Sequence, residues 1–268
     1  MSALSDYLES GILNNIFRGA TIPTLPANIY FALFTVAPTD AGGGTEVTGT
    51  GYAREAVARN VDTNFDAPAS GATQNTNIID FGTAGGSWGT VVAVGIFDAD
   101  VAGNLLIHGA ISPSKTIGDG DPVSYAAGAF DIALTGAFSG YLRDIILNWI
   151  FRNGTWPTWD ADVEVSLHTG APGLTGANEV SGGAYARVNV TRSTGNFTLA
   201  DAGGATSNIN PITFPAPNGA NWGLCSDAGI WDGAGTNFLF AATMADRQVN
   251  DGDAAPYIAA GDLDITLA

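Results

Sequence analysis

Few residues in this chain could do chemistry. The candidate ligands and bases outside the carboxylates are two histidines, His108 and His168, and one cysteine, Cys225. A Cys–His pair would supply an activated thiolate. Carboxylates are plentiful, with 26 Asp and Glu against nine Lys and Arg. Two carboxyls facing each other across a sugar ring would hydrolyse a glycosidic bond. The strings Asp119-Gly120-Asp121 and Asp251-Gly252-Asp253 could offer oxygens to Ca²⁺.

Spacing weakens each of these readings. One cysteine excludes an intrachain disulfide framework and a Cys-based zinc cluster. The Asp-Gly-Asp strings lack the ligand spacing of an EF-hand loop and sit where Asp and Gly are ordinary turn residues. No HExxH, no GxSxG, no P-loop and no GxGxxG opening a helix is expected. A net charge of -17, with Lys115 the single lysine, argues against a nucleic-acid surface, which needs clustered Lys and Arg. No cofactor, no metal and no catalytic residue is expected.

The elements that would position any site are written twice. Shifted by 132 to 134 residues, the sequence of 268 falls on itself. Ile12-Leu13-Asn14 meets Ile146-Leu147-Asn148, and Phe17-Arg18 meets Phe151-Arg152. Tyr52-Ala53-Arg54 meets Tyr185-Ala186-Arg187, and Trp88-Gly89 meets Trp222-Gly223. Gly95-Ile96-Phe97-Asp98 meets Gly229-Ile230-Trp231-Asp232. The repeat predicts two tandem domains, 1–137 and 138–268. The charge divides with them: 13 acids and 4 bases in the first (-9), 13 acids and 5 bases in the second (-8).

Each domain opens on a helix. Leu4, Leu8, Ile12 and Ile16 recur every four residues, with Leu13 and Phe17 beside them. Ser5 suits the N-cap, and Arg18-Gly19 suits the end. The second copy, Tyr141 to Arg152, is more apolar and is expected to be buried on more than one side. The pattern then changes to short β-forming runs between Gly, Asn, Asp and Pro clusters: 29–35, 52–60, 77–81, 90–97, 104–111 and 129–134, with counterparts at 163–169, 185–192, 208–214, 223–231, 237–243 and 262–267. The fold class expected is mainly β: two tandem antiparallel β-sandwich or jelly-roll domains, each preceded by one amphipathic N-terminal helix. No apolar run approaches the ~20 residues of a membrane span. Residues 1–20 lack the basic start and unbroken apolar stretch of a signal peptide, so synthesis and retention in a cytoplasm are expected.

The repeat also tests each candidate residue. His108 aligns with Ala241, His168 with Phe34 and Cys225 with Val91, so none belongs to the repeated unit, and each reads as a packing or surface residue. Glu46 to Arg54 recurs as Glu179 to Arg187. In a chain so poor in bases, Arg54 and Arg187 are either intradomain ion pairs or Tyr–Arg stacks that fix a loop, or contacts between subunits. Trp156 and Trp159, flanking Pro157, lack aromatic counterparts and are candidate contact residues for a partner or a neighbouring domain.

Several of these motifs in order resemble one family. They are Leu4…Tyr7-Leu8…Ile12-Leu13-Asn14…Phe17-Arg18, Tyr30-Phe31-Ala32-Leu33-Phe34-Thr35, Gly44-Thr45-Glu46-Val47 with Gly51-Tyr52-Ala53-Arg54, Trp88-Gly89-Thr90-Val91, Gly95-Ile96-Phe97-Asp98-Ala99 and Gly103-Asn104-Leu105-Leu106. The pattern is similar to small tailed-bacteriophage virion proteins commonly labelled phage tail fibre proteins. It covers the first repeat and, more loosely, the second. The resemblance implies a virion component made in the host cytoplasm, decorating the capsid or associated with the tail. Its partners would be copies of itself, a trimer included, and other virion proteins such as the major capsid protein or tail proteins. No nucleic acid or membrane partner is implied. Compact sandwiches without an extended stalk lean towards a decoration (cement) protein. A host-glycan-binding module and a glycan-degrading enzyme are the readings from other classes.

Overall fold

The computed structural model describes residues 3–60, 63–200 and 203–267. The chain is mainly β and forms two compact units. The first comprises Met1–Leu8, Pro23–Thr135 and Arg143–Trp156, and the second Glu9–Ile22, Gly136–Leu142 and Pro157–Ala268. The helices are α1 (Asp6–Arg18) and α2 (Gly140–Arg152). Most of α1, from Glu9 on, belongs to the second unit, and α2 from Arg143 on belongs to the first. Repeat and compact unit therefore part company at the helices: each unit takes the helical segment written in the other repeat.

The strands of the first unit are β1 (Ala3–Leu4), β2 (Asn28–Val36), β3 (Thr45–Glu46), β4 (Glu55–Ala58), β5 (Ala72–Gln74), β6 (Ile79–Thr83), β7 (Gly89–Phe97), β8 (Leu105–Ile117), β9 (Pro122–Tyr125) and β10 (Asp131–Ala133). They make a main sheet in the order β1-β8-β7-β2-β3, with β4 also on β2, and two ribbons, β5–β10 and β6–β9. Every pairing is antiparallel. The larger core lies on one face of the main sheet, and a smaller cluster of Ala32, Phe34 and Ala93 is buried on the other. Phe31 of β2 meets Phe65 at 6.2 Å and Phe130 at 5.2 Å, and Phe65 meets Phe151 of α2 at 4.7 Å.

The second unit repeats this plan with β11 (Asp162–His168), β12 (Val188–Thr191), β13 (Ala205–Ser207), β14 (Ile212–Thr213), β15 (Gly223–Asp232), β16 (Phe238–Val249), β17 (Tyr257–Ile258) and β18 (Asp264–Thr266). Its main sheet runs β12-β11-β15-β16-β18-β13, beside a β14–β17 ribbon. Phe17 of α1 meets Phe197 at 5.0 Å and Phe240 at 5.4 Å. Phe197 and Phe17 stand at the repeat positions of Phe65 and Phe151, so each unit builds its own core from sister residues.

The helices form where the apolar stripe predicts. Leu8, Ile12, Leu13, Ile16 and Phe17 are fully buried in α1. In α2 the buried set adds Arg143, Trp149 and Arg152, so burial extends beyond one stripe. Ser5 Oγ accepts from the Leu8 N–H at 3.4 Å, and Ser139 Oγ accepts from the Leu142 N–H at 3.0 Å, which satisfies amides left open at each helix start. Both helices end alike. Gly19 and Asn153 adopt positive φ (67° and 55°), and the next residue donates back to Asn14 or Asn148, the left-handed stop that Gly and Asn favour. No helix among the described residues is long and apolar enough to cross a membrane.

Candidate functional site

The repeated Glu–Tyr–Arg set forms one compact cluster in each unit. β2 and β11 hold its backbone anchor: the Leu33 N–H donates to Tyr52 Oη at 2.9 Å, and the Leu167 N–H donates to Tyr185 Oη at 3.0 Å. Each phenol donates onward to its glutamate, Tyr52 to Glu46 Oε1 at 3.0 Å and Tyr185 to Glu179 Oε1 at 3.1 Å. Arg54 grips Glu46 with Nε (2.9 Å) and Nη2 (2.8 Å), and Arg187 grips Glu179 likewise (2.7 and 2.8 Å). Arg54 Nη1 donates to the carbonyls of Ala99 and Ala102, and Arg187 Nη1 to Gly235 O and Glu164. The guanidinium planes lie over Phe97 (3.7 Å) and Trp231 (3.6 Å), not over the tyrosines. Burial, with the glutamate charge adding, pushes both phenols well above their ordinary pKa. The arrangement locks the loops after β2 and β11 to those after β7 and β15.

The repeat carries a second arginine pair, passed over in the sequence reading although the same register exposes it: Arg59 and Arg192, offset by 133. Arg59 donates to the carbonyls of Trp149 and Ile150 at the end of α2 and to those of Leu25 and Pro26. Arg192 donates to Asn15 and Ile16 at the end of α1 and to Trp159 and Asp160. Each fixes the C-terminal carbonyls of the helix in its unit, where positive charge is favoured.

The remaining candidates are also bonded within their own units. His108 Nε2 lies 2.9 Å from Asp40 Oδ1. His168 is fully buried, with Nδ1 2.6 Å from Ala177 O and Nε2 2.7 Å from Ser166 Oγ, which also accepts from Trp231 Nε1 at 2.9 Å. Burial holds its pKa below the ordinary value, despite Glu179 and Asp227 nearby. Ser166 and His168 are both inaccessible, so this serine–histidine contact is a core link and not a nucleophile with its base. Asp98 and Asp232 accept from their own turns, at Asn104 and at Thr236 and Asn237. Asp121 and Asp253 close their loops on the Gly118 and Asn250 amides at 2.7 Å. These are the turn roles expected of Asp. Ser87 sits in a Gly85–Gly89 string of the form GxSxG, which the sequence reading also passed over. It leads into strand β7, not into the helix that a nucleophile elbow requires. Cys225 is buried, as its Val91 counterpart is, and burial pushes its thiol up.

Trp156 and Trp159 are half-buried. Trp156 meets Trp149 edge-on at 5.1 Å, within the first unit. Trp159 Nε1 donates to Asn15 Oδ1 at 3.1 Å, within the second.

A further basic pair that repeats is Lys115 on β8 and Arg247 on β16, in register opposite Val91 and Cys225. Lys115 is exposed and has no ion pair or hydrogen bond among the described residues. It borders an open pocket of about 430 Å³ in the first unit.

The comparisons accord with this picture of repeated, internally bonded units. No curated protein matches the chain. One family model, described as podophage GP4 fiber I protein gp80, matches it twice, over residues 3–133 and 137–266. The two matches cover nearly the whole chain and coincide with the internal repeat, so the chain belongs to the family of the podophage GP4 fiber I protein gp80, as two family units in tandem.

Proposed function

We propose that this phage virion protein is a non-enzymatic component of the tail fibre that works by assembly with copies of itself and with other tail proteins. The observation that carries the reading is the double family match over the full repeat. The chemistry supports it. The repeated Glu–Tyr–Arg sets, Arg59 and Arg192, and the turn aspartates Asp98, Asp121, Asp232 and Asp253 are each bonded within their own unit, in ion pairs, turns or helix caps. Such residues build a rigid scaffold, and function then lies in surfaces and loops. Arg54, Arg187, Trp156 and Trp159 serve in this reading to fix the loops that neighbouring subunits would meet. An acidic protein surface keeps particles soluble and mutually repelling.

The lean towards capsid decoration drawn from compactness gives way here, because the family description is that of a fibre. Immunogold labelling of intact virions tests the choice. Label on the fibres is expected. Label spread over the head would return the decoration reading.

A further inference from the structure

The two units diverge most usefully at one bulge. In the first, Val91 pairs with Lys115 and Ala93 with Ala110, so Val92 alone faces the four residues Ile111–Ser114. In the second, Cys225 pairs with Arg247 and Asp227 with Thr243, so Ser226 faces only the three residues 244–246. The repeat offset drops from 133 to 132 at this point. Bulges of this kind re-aim side chains and recur beside binding sites.

In the first unit the longer bulge borders the pocket of about 430 Å³, a size within the range of small-ligand sites. Ile111, Pro113, Phe130 and the Tyr125 ring give it an apolar wall, and Lys115 and Asp131 a polar one. In the second unit the equivalent cation is already engaged. Arg247 lies 4.5 Å over the Tyr257 ring, the counterpart of Tyr125, and donates to the Tyr257 carbonyl at 3.1 Å. The neighbouring hollow is smaller, about 270 Å³.

We propose that the pocket of the first unit binds a carboxylate-bearing sugar ring, with Lys115 on the carboxylate, Asp131 on ring hydroxyls, and Ile111, Pro113 and Phe130 against the apolar ring edge. A lone ammonium selects a single carboxylate. An extended polyanion such as nucleic acid is repelled by a chain of charge -17. Asp131 accepts from hydroxyls and would repel a ligand whose only polar groups were anionic. The site stands on the geometry of its own unit, so its failure would leave the fibre reading untouched, and labelling of the head would leave the site untouched.

The test is calorimetric titration of the full chain with trigalacturonate and with a glucuronate disaccharide, against their neutral galactose and glucose equivalents. Binding of at least one acidic sugar, about tenfold or more tighter than its neutral equivalent, is expected. Lys115→Gln should weaken it about tenfold or more. Arg247→Gln should leave it unchanged. Binding of neither acidic sugar, equal affinity for charged and neutral forms, or full affinity in Lys115→Gln would overturn the proposal.

Discussion

Arg54 and Arg187 each hold a glutamate through two parallel N–H···O bonds while covering an aromatic ring. Replacing Arg54 by Met leaves Glu46 and two carbonyls without their charged donor, so the first unit should lose about 2 kcal/mol, read as a drop of several degrees in its unfolding midpoint. Arg187→Met should act likewise on the second unit. An unchanged midpoint would contradict the scaffold role.

His168 offers a pH test. Its native pKa lies below the ordinary 6.5 because burial disfavours the imidazolium. Above pH 6.5 both folded and unfolded states hold it neutral, and it contributes no pH dependence. Below that, the unfolded chain takes up a proton that the native state refuses, so stability falls as pH falls towards the native pKa. The midpoint of His168→Phe, which installs the sister residue Phe34, should drop less than that of the wild type between pH 7 and 5. Equal drops would show that His168 is not the group responsible. At this scale the repeat made much legible. It marked Arg54, Arg187 and the turn aspartates, and it marks Arg59 and Arg192 once the offset of 133 is applied. It could not show whether an arginine faces a partner or its own glutamate, because that depends on loops closing in three dimensions.

The elements were legible in type and less so in placement. The four-residue stripe gives both helices, with Ser5 marking the start of the first. The short β-forming runs give most core strands; β2, for example, is buried at Ile29, Phe31 and Leu33 on one face and at Ala32 and Phe34 on the other. The distal halves of β8 and β16 were missed, because the exposed Ser112, Pro113, Lys115 and Thr116 of the one and Asp246 and Gln248 of the other carry no apolar signal. Nor could the sequence tell which unit a helix completes: Phe65 and Phe197 are sister positions that accept either Phe151 or Phe17. Arg59 and Arg192 bind the backbone of the helix ends, so each should matter out of proportion to its exposure. Arg59→Met should destabilise the first unit by about 1.5–3 kcal/mol, with hydrogen exchange rising at the end of α2 and not of α1. Arg192→Met should show the reverse pattern. Uniform protection loss in both helices would contradict the pairing.

At the scale of the molecule, each compact unit contains a helical segment written in the other repeat. A protease site inserted after Thr135 in the full chain should therefore yield two pieces that co-elute in native buffer and separate only in denaturant. Native separation would contradict the exchange. Two family units in tandem suit the virion role that the family implies. The most direct measurement is an electron cryo-microscopy reconstruction of the virion that resolves side chains. The expected result is this chain in fibre density, with residues 9–18 packed in the unit built from 157–268 and residues 143–152 in the unit built from 23–135. A fit only to the capsid shell, or each helix packed on the strands of its own repeat, would contradict it.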